Sequence, residues 1–81
     1  MIDGKIIKEM FNSGGGFLCG DYAITVGMDG WDFMDCYVSI LNTDTKEEHK
    51  IYFKECAKKV TDIFTKKFCE SIAEKLNVLL K

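Results

Sequence analysis

The apolar positions change period along the chain. Between residues 3 and 12 they recur as Ile6, Ile7, Met10 and Phe11, which makes one stripe of a short helix. Asp3 is placed to cap its start. Asn12, Ser13 and Gly14–Gly16 end it, since glycine enters the left-handed cap conformation at low cost.

From about 17 to 28 the period becomes two, the signature of a strand. Tyr22, Ile24, Val26 and Met28 share one face, and Asp21, Ala23, Thr25 and Gly27 the other. Met28-Asp29-Gly30-Trp31 is a turn signal centred on Asp-Gly. Alternation resumes over about 33–42, with Met34, Cys36, Val38 and Ile40 facing one way and Phe33, Asp35, Tyr37, Ser39 and Leu41 the other. A polar turn follows at 42–46. The next strand, about 48–53, sets His49, Ile51 and Phe53 opposite Lys50 and Tyr52. Two short connections in succession favour an antiparallel meander.

Residues of about 54–80 contain neither Gly nor Pro. Phe53, Cys56, Ala57, Val60, Phe64, Phe68, Ile72, Leu76 and Leu79 recur there in steps of three and four. This predicts one long helix; the alternative is a break near Thr65–Lys67, because the stripe of the second half is rotated by roughly a quarter-turn from that of the first. The expectation is an α+β fold in the order α-β-β-β-α. It is a single domain over 1–81 with a three-stranded antiparallel meander and two helices packed on one face. Its core would comprise Ile6, Met10, Tyr22, Ile24, Val26, Met34, Val38, Ile40, Ile51, Phe53, Val60, Phe64, Phe68 and Ile72.

The length of 81 residues leaves little room for a deep cleft or a large cofactor, and no residue pattern implies a cofactor. No apolar run approaches the ~20 residues of a membrane span, and no signal-like stretch opens the chain. The expectation is an unexported, cytoplasmic protein with reduced thiols. Cys19, Cys36, Cys56 and Cys69 form no CxxC pair, so zinc has no support. With His49 as the single histidine, a Cys–His enzyme rests on one chance pairing. The glycine run Gly14–Gly16 stands between a helix and a strand, the reverse of the order that cradles phosphate at a helix N-terminus.

Charge adds a pattern that the near-neutral total of −2 conceals. Residues 9–45 carry Glu9, Asp21, Asp29, Asp32, Asp35 and Asp44 and no lysine, a local net charge of −6. All 11 basic residues are Lys, so the guanidinium fork that reads phosphate and guanine is missing. Asp29, Asp32 and Asp35 lie beside Trp31 and Phe33. If both helices cover one sheet face, Phe33, Asp35, Tyr37, Leu41 and Tyr52 remain on the other, with Trp31 at its end. Exposed aromatics in a small domain mark an interface. The reading is a non-enzymatic binding module or inhibitor that uses Asp29, Trp31, Asp32, Phe33, Asp35, Tyr37 and Tyr52. Its partner would be a protein, such as a basic nucleic-acid enzyme, or a second copy of the chain. The acids among the aromatics disfavour nucleic acid.

The predicted element order resembles the double-stranded RNA-binding domain. Lys54-Glu55-Cys56-Ala57-Lys58-Lys59 is a loose echo of that family's Lys-rich start of the last helix. The resemblance implies, as the alternative function, duplex RNA binding through the lysine face. In size and charge layout the chain is also similar to phage-encoded anti-CRISPR inhibitors, which implies a phage or mobile-element inhibitor of a nucleic-acid enzyme.

Overall fold

The computed structural model describes residues 2–80. Helix α1 spans Gly4–Ser13. Asp3 caps it, accepting the Ile6 amide at 3.0 Å. Gly14 ends it at φ 68°, donating its amide to Met10 O at 3.1 Å. A four-stranded antiparallel sheet follows, β1 (Phe17–Cys19), β2 (Tyr22–Met28), β3 (Cys36–Asn42) and β4 (Glu48–Tyr52), in the order β1-β2-β3-β4. Helix α2 spans Lys66–Leu79. The α+β class is as expected, but the sheet has four strands rather than three.

The extra strand comes from a turn inside the expected 17–28 strand. Gly20 and Asp21 form a two-residue connection, with Cys19 paired to Tyr22 and Phe17 to Ile24. Gly20 takes φ 60° at the first turn position, where a side chain would be strained. The turn also reverses parity. In a continuous strand Phe17 and Cys19 would oppose Tyr22 and Ile24, whereas in the hairpin they share their face and pack against the core.

The expected strand over 33–42 begins only at Cys36. Residues Phe33–Asp35 form a 3₁₀ turn capped by Asp32, whose carboxylate accepts the Met34 amide at 3.0 Å. The long helix over 54–80 is corrected as well. Helix α2 starts at Lys66, and the chain before it runs through 3₁₀ turns at Phe53–Glu55 and Val60–Asp62. The segment Val60-Thr61-Asp62-Ile63-Phe64-Thr65 has four β-branched residues in six, which disfavours a helix interior. Thr65 then caps α2 by accepting the Phe68 amide at 3.2 Å.

One apolar core joins both helices to one sheet face, through Ile7, Ile24, Val38, Phe53, Phe68 and Ile72 among others. Phe53 and Phe68 meet edge-to-face with ring centroids 5.1 Å apart. Phe11 and Phe64 extend this aromatic cluster, at 5.1 Å from each other. Phe64 sits at φ 71°, a costly conformation for a bulky residue. Its contacts with Phe11, Phe33, Phe53 and Phe68 offset that strain. Asn77 in α2 brackets the start of the chain: its amide accepts from the Ile2 N–H at 3.1 Å and donates to Ile2 O at 2.7 Å.

Four expected core residues are exposed: Ile6, Val26, Val60 and Phe64. Ile6 and Ile7 share the helix stripe, and of the two only Ile7 is buried. Val60 leaves the core because its helix does not form. Val26 leaves it because β1 pairs with β2 only as far as Ile24.

Candidate functional site

The seven residues singled out by pattern fall into two neighbouring groups, joined at Asp29. The first is the loop between β2 and β3. Its backbone is closed by its own hydrogen bonds, Asp29 N–H to Asp35 O at 3.1 Å and Asp35 N–H to Asp32 O at 2.9 Å. Gly30 packs so closely on Asp35 that a Cβ there would lie 2.7 Å from the carboxylate. This framework holds Trp31 with its whole side chain in solvent, at 101% relative exposure. Phe33 is 55% exposed and leans edge-to-face on Phe64, with centroids 6.3 Å apart. It therefore belongs to the helix-side end of the molecule. It is not on the outer sheet face, because the 3₁₀ turn interrupts the alternation that would have put it there.

The second group lies on the face away from the helices. Tyr37 and Tyr52 pair across β3 and β4 with centroids 5.4 Å apart. Lys50 Nζ lies 4.6 Å from the centre of the Tyr37 ring, and Lys54 Nζ 5.3 Å from that of Tyr52. The Tyr37 ring also covers Gly27 on β2, where a Cβ would come within 2.4 Å of the ring. Asp29 closes the cluster. It accepts a hydrogen bond from the Tyr52 hydroxyl and faces Lys50 Nζ at 4.0 Å. That hydrogen bond, followed by desolvation and the Asp29 charge, pushes the Tyr52 pKa up to about 12. Deeper along the same face Ser39 is buried and donates to Glu48 Oε2 at 2.5 Å.

These two groups differ in what they can do. The tyrosine cluster satisfies itself: each ring has a neighbour, and the Asp29 carboxylate is engaged from both sides. Asp32 and Asp35 have structural tasks in the loop, the first as a side-chain cap and the second through its backbone. Trp31 has no intramolecular task, and Met28 beside the loop is 60% exposed. Sequence alternation sets Met28 on the same face as Val26, an expected core residue, yet both are exposed. Lys50 and Lys54 are part of the tyrosine cluster.

The expected lysine face is altered by the late start of α2. Lys54, Lys58 and Lys59 precede that helix, so the i, i+4 spacing does not align them. Instead Lys54, Lys58 and Lys67 line one cavity of about 500 Å³, together with Glu55 and Asp62.

The chain matches no protein-family model, no curated protein and no solved structure. Among the described residues no group of three or more His, Cys, Asp or Glu converges as a metal cluster. No helix there is long and apolar enough to cross a membrane. All four cysteines are free thiols, with Cys36 and Cys69 buried. Burial raises the pKa of Cys36, Cys56 and Cys69, and the charges of Asp35 and Asp32 add to the effect at Cys36.

Proposed function

We propose that this chain is a small non-enzymatic binding protein that docks on a protein partner through the β2–β3 loop, with Trp31 and Phe33 as anchors. The observation that carries this reading is the full exposure of Trp31 on a loop that its own hydrogen bonds hold closed. An ordered, solvated indole has no folding rationale, and desolvating it on a partner supplies a large apolar gain at low entropic cost. Asp29, Asp32 and Asp35 give the surface its acidity, so the partner is basic there. The groove of a nucleic-acid enzyme fits that description, and occupying such a groove makes the chain an inhibitor, as in the phage-encoded inhibitors it resembles in size and charge layout. Tyr37 and Tyr52 serve as the rigid support behind the loop. The free thiols agree with a reducing, cytoplasmic setting.

The test is affinity capture from the source cell with the wild type, Trp31→Ala and Asp32→Asn. The asparagine keeps a side-chain oxygen for the Met34 amide while removing the charge. The expected result is a specific captured protein that Trp31→Ala loses and Asp32→Asn weakens, with unchanged circular dichroism. Equal capture by all three proteins would overturn the reading.

The alternative is duplex RNA binding around the cavity that Lys54, Lys58 and Lys67 line. Glu55 and Asp62 in the same lining weigh against it. A low-salt gel shift abolished by joint Lys54→Glu and Lys58→Glu substitution would favour it.

A further inference from the structure

We infer that the open edge of β2 is a strand-addition site for an extended, Lys- or Arg-bearing segment of the protein partner; this rests on the docking role proposed for the β2–β3 loop. Strand β3 pairs with β2 along its whole length, from Tyr22 to Met28. On the other edge β1 pairs only as far as Ile24. The residue preceding β1, Gly16, still lies against Ile24 and Thr25, but a Cβ at Gly15 would meet only Ser13, so the chain has left β2 there, one residue after the Gly14 cap of α1. Among the described residues, Val26, Gly27 and Met28 therefore have no strand on their outer edge. Alternation turns the amides and carbonyls of Val26 and Met28 outward, a ready template for another strand.

The two edges of the sheet differ in kind. Strand β4, the opposite edge, carries Glu48 and Lys50, charges that discourage pairing. The free stretch of β2 carries no charge, no proline and two exposed apolar side chains, Val26 at 40% and Met28 at 60%. It leads directly into the loop that presents Trp31 and Phe33. An added strand would set alternate side chains against Val26 and Met28 while its end approached the indole.

Charge selects the occupant. A second copy paired edge to edge would bring together two segments that each carry −6 over residues 9–45 with no lysine. An extended segment with basic residues meets Asp32 and Asp35 instead. Apolar residues at alternate positions, flanked by Lys or Arg, are the sequence such a site takes.

The probe is a random heptapeptide display library panned against the full chain, followed by the enriched peptide in synthetic form. The expected consensus has apolar residues two apart with adjacent Lys or Arg. Peptide binding should slow amide hydrogen exchange within Val26–Met28. N-methylation of the peptide at alternate residues should cost about tenfold or more in affinity, with little effect at the residues between. Val26→Lys and Met28→Lys should each abolish binding, and Trp31→Ala should weaken it. Absence of enrichment, insensitivity to N-methylation, or a dimer of the chain that Val26→Lys dissolves would each overturn strand addition. A peptide lost by Trp31→Ala but kept by both lysine variants would overturn strand addition and leave the docking loop standing. A peptide indifferent to all three would overturn both.

Discussion

The Asp29 carboxylate, at the end of β2, accepts a hydrogen bond from the Tyr52 hydroxyl on β4, reaching past β3 between them. The pair is 23 residues apart in sequence and fixes the base of the Trp31 loop to the far edge of the sheet. It also holds the phenol protonated, with a pKa pushed up to about 12, chiefly through that hydrogen bond. Because the folded value lies above the ordinary value near 10, the stabilisation is complete below pH 10 and fades as pH rises towards 12. The phenolate absorbance of Tyr52, isolated by difference against Tyr52→Phe, should therefore emerge late. In Asp29→Asn it should return towards pH 10, since the negative neighbour is gone. Coincident titration of wild type and Asp29→Asn would show that the contact does not persist in solution.

The other support of the loop is steric. Tyr37 lies over Gly27 with no space for a Cβ, and the ring is held in place by Tyr52 and Lys50. Gly27→Ala should destabilise the fold by about 1–3 kcal/mol through overpacking. In a Tyr37→Ala background the same substitution should be neutral or stabilising, because alanine restricts the unfolded chain more than glycine does. Denaturant unfolding of the four proteins gives the coupling energy. Additivity within about 0.5 kcal/mol would mean that the ring does not rest on Gly27.

Neither support was legible as a contact in the sequence, and the reason is range. The features read correctly are local: the Asp3 cap, the glycine stop of α1, and the alternation of β2 and of β3 from Cys36. Each depends on residues within a few positions of one another. The expected Asp-Gly turn is instead a longer loop that runs through a 3₁₀ turn to Cys36. The Gly20-Asp21 turn was also local, and its signal was a parity switch in the apolar positions, from odd at Phe17 and Cys19 to even at Tyr22 and Ile24. The apparent helix over 54–65 failed because apolar spacing and backbone preference disagree there. Phe53, Ala57 and Val60 have helical spacing, but a β-branched run follows them and Thr65 starts a new helix with its own cap. At the site, the Trp31 turn could be read from the sequence. The open edge beside it could not, since it exists only because β1 is three residues long.

The thiols separate a binding protein from a cysteine enzyme. A nucleophilic cysteine needs a pKa lowered by a base or a positive neighbour. Here the shifts of Cys36, Cys56 and Cys69 run the other way, led in each case by burial. At Cys36 the carboxylates of Asp35 and Asp32 reinforce it, and at Cys69 the opposing charge of Lys8 does not overcome it. At Cys56 the Ser71 hydrogen bond and Lys75 likewise only moderate the rise. Thiolate is thus scarce at neutral pH, and Cys36 and Cys69 are also shielded from reagent. In the folded protein these two should alkylate only through transient opening, at least about a hundredfold slower than in denaturant. Cys56, half-buried, should be slower than in denaturant by a smaller factor. Peptide mapping after timed iodoacetamide treatment reads all four sites at once. A single thiol among these three that reacts faster in the folded chain than in the unfolded one would contradict the non-catalytic reading and restore the Cys–His alternative.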